Sequence, residues 1–310
     1  MAGYKILTLD GGGILGIITC KILEKLNDEL PGWLDKVDLI AGTSTGGIIA
    51  IGLAYGLTPA EIGSLYYDRS PEIFYDTALD NVLDLGNLIG AQYSTEDLKR
   101  VLKETLGEKT RLVDLKKKVL IPTFDLDNEK TDEKERCWAP KFFHNFEGED
   151  CDKEALAYKV ALYTSAAPTY FPTYEGYIDG GVIANNPSMA AIAQTRDYRA
   201  IIPNRPSLRE IRLLSVGSGV PLYRIKEKTL DWGLSQWARP IIEIMLNGNM
   251  GVADYQSRQL LGENYLRTTA TFKPDDVISL DDWRKREKLK KIGEDHDVTD
   301  TVRWLQENWI

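Results

Sequence analysis

The run Val37-Asp38-Leu39-Ile40-Ala41-Gly42-Thr43-Ser44-Thr45-Gly46-Gly47-Ile48-Ile49-Ala50-Ile51-Gly52-Leu53-Ala54 decides how this chain is read. Its first five residues have the length and apolarity of a short buried strand. A helix of small and aliphatic residues begins after Ser44. The serine stands between Gly42 and Gly46 in the Gly-x-Ser-x-Gly spacing of a nucleophile elbow. The glycines answer a steric need, because side chains two positions either side of a strained turn would collide. The helix that follows directs its N-terminal dipole at the serine and favours negative charge developing there.

The preceding residues repeat the same grammar. Tyr4 to Leu9 is a strand-length apolar run, Asp10-Gly11-Gly12-Gly13 a turn, and Ile14 to Leu30 a helix stopped by Pro31-Gly32. Two strand–turn–helix units in a row predict an α/β fold with a mainly parallel sheet covered by helices. Further on, Thr58-Pro59-Ala60-Glu61 is a capping box, and Ser94 to Leu106 is a one-faced helix ended by Gly107. Val119–Leu126, Ile211–Val216 and Tyr265–Phe272 have strand character. Asp127 to Arg136 is a charged hairpin tip, and Ile62 to Leu88 is aromatic-rich, either core or a lid over an apolar mouth. Lys285 to Lys291 is basic and amphipathic, a solvated helix face or a foot on an anionic bilayer. Neither repeats nor linkers interrupt the chain, so a single domain over residues 1–310 is expected, with residues 273–310 as a helical extension.

The net charge of −9 argues against a general binder of nucleic acid, which needs a basic face. Cys20, Cys137 and Cys151 show neither CxxC spacing nor an even count, which argues against a zinc site and a disulfide framework. The N-terminus has no secretory pattern, and no run approaches the roughly 18 apolar residues of a membrane span. A cytoplasmic protein that touches membranes only peripherally is expected, with no metal or cofactor.

A serine nucleophile needs a base, and the chain has two histidines, His144 and His296. Ser44, Asp179 and His296 follow the nucleophile–acid–histidine order of an α/β-hydrolase. Against that order, Ser44 follows only two strands and His296 lies in the polar tract Gly293-Glu294-Asp295-His296-Asp297. His144, in Phe142-Phe143-His144-Asn145-Phe146, has the setting of a packing residue. The other candidates are carboxylates. Asp10 and Asp179 each precede glycines after an apolar segment, and both could reach the C-terminal edge of a parallel sheet, where ligands bind. Asp179-Gly180-Gly181 would allow close backbone approach, although an ordinary turn is the competing reading. A carboxylate in this role would need burial to raise its pKa.

Gly11-Gly12-Gly13-Ile14-Leu15-Gly16 also fits Gly-x-Gly-x-x-Gly, the dinucleotide-binding pattern. That function expects a ribose-binding acid at the end of the second strand, where this chain has the Ser44 turn. The same amides at a helix N-terminus can hold an oxyanion, so acyl transfer is the better fit.

Together these segments resemble the patatin-like phospholipases. The resemblance rests on Asp10-Gly11-Gly12-Gly13-Ile14-Leu15-Gly16, Gly42-Thr43-Ser44-Thr45-Gly46 and Asp179-Gly180-Gly181, and runs from about Tyr4 to Arg267. It implies a three-layer α/β/α sandwich and a lipid acyl hydrolase of phospholipase A or lysophospholipase type, acting on phospholipid or another acyl lipid. It further implies Ser44 as nucleophile, Asp179 as proton acceptor and Gly11, Gly12 and Gly13 as oxyanion hole. Asp10, Gly16, Gly42, Gly46, Gly180 and Gly181 are supporting motif residues, and no calcium is required. Leu15 departs from the family's common basic residue, which removes a cation for gripping a headgroup phosphate. The resemblance also permits a nucleotide-activated effector lipase, while the intact Ser44, Asp179 and three glycines speak against a protein that kept the fold without turnover.

Overall fold

The computed structural model describes residues 3–74, 91–220, 225, 231–273 and 278–309. The strands are β1 (Tyr4–Leu9), β2 (Leu39–Gly42), β3 (Lys118–Asp125), β4 (Ala139–His144), β5 (Glu147–Gly148), β6 (Tyr177–Asp179), β7 (Ala200–Ile201), β8 (Ile211–Val216) and β9 (Tyr265–Thr268). The helices are α1 (Gly16–Glu29), α2 (Thr45–Tyr55), α3 (Pro59–Ile73), α4 (Thr95–Leu106), α5 (Ala157–Ser165), α6 (Gly181–Ala184), α7 (Ser188–Gln194), α8 (Leu234–Leu261), α9 (Arg286–Asp295) and α10 (Thr299–Asn308).

The main sheet runs in the order β4-β3-β2-β1-β8-β9. The pairs β1–β2, β1–β8, β2–β3 and β8–β9 are parallel, and β4 lies antiparallel on β3. Successive side chains of a strand point to opposite faces. Leu7, Ile40 and Leu214 join one core with Ile17, Ile49 and Leu102, whereas Ile6, Leu39 and Leu213 join another with Ala191, Ile192 and Leu261. Helices thus cover both faces, and the molecule is a three-layer α/β/α sandwich with a mainly parallel sheet.

Strand β6 places the site. It lies antiparallel to β3, with Asp179 opposite Thr123, while β2 pairs the start of β3, with Ala41 opposite Leu120. Strand β4 occupies the other flank of β3 over Leu120–Asp125, so β2 and β6 share one flank. They run toward each other and meet end to end, Ala41 and Asp179 being three residues apart along β3, about 10 Å. The sequence expectation that Asp179 arrives on a parallel strand is corrected here: it reaches the edge from the opposite direction.

Local signals account for the flanking helices. Thr58 caps α3 by accepting from the Glu61 N–H, and Ser94 caps α4 by accepting from the Glu96 N–H. Helix α2 is apolar around its whole circumference and is buried on all sides. Helices α9 and α10 belong to the larger core through Leu289, Leu305 and Trp309, and the Trp309 ring meets Trp33 edge-on at 5.5 Å. In the stretch read as core or lid, Ile62, Ile73 and Phe74 pack on the core, and residues 75–90 lie outside the described residues. Among the described residues no helix is long and apolar enough to cross a membrane.

Candidate active site

Ser44 sits between the end of β2 and the first residue of α2 with φ 54° and ψ −124°. A non-glycine residue in that region costs roughly 1–3 kcal/mol and persists only when its surroundings enforce it. Here they do. The Ser44 N–H donates to Thr164 Oγ1 at 2.9 Å, and that hydroxyl donates onward to the Pro122 carbonyl at 2.6 Å. The neighbouring Thr43 hydroxyl donates to the Ala184 carbonyl at 2.6 Å. The flanking glycines are obligatory: a Cβ at Gly42 would overlap the Gly46 carbonyl, and one at Gly46 would overlap the Leu9 carbonyl.

The Ser44 hydroxyl donates to Asp179 Oδ2 at 2.6 Å. The other carboxylate oxygen, Oδ1, accepts the Gly181 N–H at 2.6 Å, and the Asp179 N–H donates to the Ala166 carbonyl at 3.0 Å. Gly180 lets this turn press against β3, where a Cβ would overlap the Pro122 carbonyl. Burial raises the Asp179 pKa from the ordinary 3.8 to about 6, against the lowering effect of the hydrogen bonds from Ser44 and Gly181. The carboxylate is thus a stronger base than an exposed aspartate while remaining ionised at neutral pH.

No imidazole stands between them. The α/β-hydrolase alternative is corrected on this point: the single Ser44 hydroxyl proton is directed to Asp179, and His296 Nε2 is bonded to Thr268 Oγ1 at 2.8 Å. His144 is buried on β4, and burial lowers its pKa.

The glycine loop lies beside the serine. Its three amides differ in availability. The Gly11 N–H already donates to the Asn185 carbonyl at 3.0 Å, so of the three amides expected to face an oxyanion this one is engaged within the protein. The Gly12 and Gly13 amides have no acceptor among the described residues. Ser218 steadies the loop by donating to the Gly11 carbonyl at 2.8 Å, and the Ile14 N–H donates to Leu280 at 2.8 Å. Asp10 does not turn toward Ser44. It is buried in an ion pair with Arg267, whose Nη1 donates to Asp10 Oδ1 at 3.1 Å and to Ser215 Oγ at 2.7 Å. Burial raises the Asp10 pKa against the pull of that guanidinium.

Ser44, Asp179 and the glycine loop open into one cavity of about 150 Å³. Its apolar lining includes Ile48, Ile73, Phe74, Phe171, Leu246 and Phe272. Asp179 and Glu243 are the charged side chains among the described lining residues, and Leu15 adds a buried apolar surface. A serine hydroxyl bonded to a buried carboxylate, beside amides without acceptors and in a largely apolar cavity, is an arrangement able to transfer an apolar acyl group. Sequence reasoning missed Thr164 and Arg267. Arg267 carried a signal, a cation inside the strand-like Tyr265-Leu266-Arg267-Thr268, whereas a threonine such as Thr164 carries none.

Comparison with known proteins adds independent findings. The family model described as patatin-like phospholipase matches residues 7–192. The chain is 31% identical over 234 residues to CotR of Bacillus subtilis, covering 76% of this chain and 68% of that protein. It is 30% identical over 287 residues to a cGAMP-activated phospholipase of Pseudomonas aeruginosa, covering 90% of this chain and 82% of that one. Among solved structures, VipD from Legionella pneumophila is similar with a TM-score of 0.44 and 13% identity, over 99% of this chain and 67% of that one.

Proposed function

This chain belongs to the patatin-like phospholipase family, and from that premise we propose that it hydrolyses carboxylic esters of membrane lipids with Ser44 as nucleophile and Asp179 as sole base. A phospholipase of this family is a carboxylic ester hydrolase. The dyad and the substrate are our reading, and the observation that carries it is the direct 2.6 Å contact between the Ser44 hydroxyl and the Asp179 carboxylate.

The geometry supports the following chemistry. Asp179 takes the hydroxyl proton as Ser44 Oγ attacks the ester carbonyl, and the Gly12 and Gly13 amides receive the oxyanion. Collapse of the tetrahedral intermediate breaks the bond to the alcohol, which leaves with the proton held by Asp179. Water then attacks the acyl-serine and gives its proton to Asp179. The fatty acid departs and the proton returns to Ser44. The apolar walls receive the acyl chain. The headgroup stays toward solvent, since Leu15 offers no cation to a phosphate.

Ser44→Ala and Asp179→Asn variants test this on a short-chain nitrophenyl ester and on a lipid panel with released fatty acids read by mass spectrometry. Each should lose at least ~10³-fold in turnover, and the double variant should lose little more. Covalent labelling by a fluorophosphonate should vanish with Ser44→Ala. Wild-type turnover in both single variants would refute the assignment. A regulatory reading is favoured by the 30% identity to a protein named for activation by cGAMP. Turnover measured with and without that nucleotide tests it separately.

A further inference from the structure

Helix α6 lacks one hydrogen bond that its backbone is placed to make. Its turn begins normally, with the Ile183 and Ala184 N–H groups donating to the Gly180 carbonyl at 3.1 and 2.9 Å. The next rung would join the Asn185 N–H to the Gly181 carbonyl, four residues back, and Asn185 keeps helical dihedrals of −63° and −33°. The side-chain amide of Asn249, from α8, stands between them. Its Oδ1 accepts from the Asn185 N–H at 2.9 Å, and its Nδ2 donates to the Gly181 carbonyl at 2.7 Å. A backbone N–H only donates and a carbonyl only accepts, so these partners decide which end of the amide is which. Asn249 thus bridges the two backbone groups of that rung with a peptide-like side-chain link.

Both groups it separates lead into the site. The Gly181 N–H holds Asp179 Oδ1 at 2.6 Å. The Asn185 carbonyl holds the Gly11 N–H at 3.0 Å, next to the Gly12 and Gly13 amides. The spacing of Gly181 and Asn185 therefore sets the spacing between the carboxylate and the amide donors.

We propose that Asn249 is a positioning residue, holding the Asp179 turn and the glycine loop at their working separation so that the seating of α8 sets the catalytic geometry. This rests on the reading of Ser44 and Asp179 given above. It has a distinctive consequence. Without the amide, the Gly181 carbonyl and the Asn185 N–H can bond to each other as in any helical turn. No polar group is stranded, so the fold survives while the site is mis-set. A merely structural hydrogen bond behaves the other way: its loss costs stability and leaves turnover alone.

The test uses the full chain with Asn249→Ala, Asn249→Asp and Ser44→Ala. Turnover of a nitrophenyl ester is followed from about pH 5 to about pH 8, together with urea midpoints. In Asn249→Ala, kcat should fall roughly 10- to 100-fold with KM within about twofold, as for a small misplacement of reacting groups, and the urea midpoint should stay near wild type. In Asn249→Asp the acceptor is kept, but a carboxylate faces the Gly181 carbonyl. The added charge near Asp179 should move the acid limb of kcat/KM to higher pH. Wild-type kcat and pH profile in Asn249→Ala, with Ser44→Ala inactive, would overturn this inference alone. Failure of Asn249→Ala to fold would also overturn it, since the turn is expected to close. Full activity in Ser44→Ala would instead remove the reading beneath it.

Discussion

Replacing Asp179 with asparagine should stabilise this protein at neutral pH while abolishing its activity. The Asp179 pKa is raised by burial from 3.8 to about 6. A carboxyl whose folded-state pKa exceeds its unfolded value contributes stability that is fully present below the unfolded pKa. That contribution is lost as pH rises through the folded value. A shift of about 2 units corresponds to about 3 kcal/mol, withdrawn from the wild type between about pH 4 and about pH 6. Asparagine does not titrate, so the Asp179→Asn variant keeps what the wild type loses. Its oxygen can still accept from the Gly181 N–H, and its amide can face the Ser44 hydroxyl, which rotates to accept. Urea unfolding of both proteins should show the difference growing in the variant's favour by about 1 kcal/mol between about pH 5 and about pH 7.5, the part of the transition above pH 5. Ester turnover in the wild type should fall with unit slope below about pH 6, and the variant should show none. A stability difference flat across that range would mean that Asp179 is not held against its charge, and the argument for its basicity would fail with it.

Further outcomes follow from named contacts. Arg267→Met leaves the buried Asp10 carboxylate unpaired and should cost about 3–5 kcal/mol at neutral pH. The loss should shrink as pH falls and Asp10 takes a proton, and urea midpoints at two pH values check this. Gly180→Ala forces a methyl into the Pro122 carbonyl, which should cost about 1–3 kcal/mol and reduce kcat by moving Asp179 away from Ser44. Ile73→Trp fills part of the cavity of about 150 Å³. It should lower kcat/KM on a dodecanoyl ester relative to a butyryl ester by roughly 10-fold or more. Equal effects on both esters would mean that this wall does not receive the acyl chain.

The parts of the site that were legible in the sequence are those whose requirement is local. Gly42 announces the Ser44 turn because its backbone crosses that of Gly46 four residues on, a collision inside the motif itself, whereas Gly46 is required by the Leu9 carbonyl of the neighbouring strand. The Thr58 box and the Ser94 cap were readable for the same reason. Asp179 was a different matter. As residues alone, Asp-Gly-Gly could not be told from a turn, and only the joint resemblance to a family singled it out. Its position depends on β6 lying antiparallel to β3 on the flank that β2 leaves free, a pairing between segments that nothing in either one announces. Asp10 went astray for a related reason. Its place before three glycines does put it at the end of β1, but a buried carboxylate needs a cation, and Arg267, from a strand more than two hundred residues later, holds it away from the serine.

Asn249 marks the limit of local reading most sharply. Nothing in Asn247-Gly248-Asn249-Met250 distinguishes its amide from any other on a helix face. What gives the residue meaning is a missing rung between Gly181 and Asn185, visible only once both chains of hydrogen bonds are followed to Asp179 and to Gly11. The serine, the aspartate and the glycine loop come from three separate stretches of chain, and the contacts that hold them in register are long-range. A sequence can therefore name the reacting groups while remaining silent about what spaces them. It is the spacing, set to fractions of an ångström by groups that never touch substrate, that separates a working site from the same residues merely brought near one another.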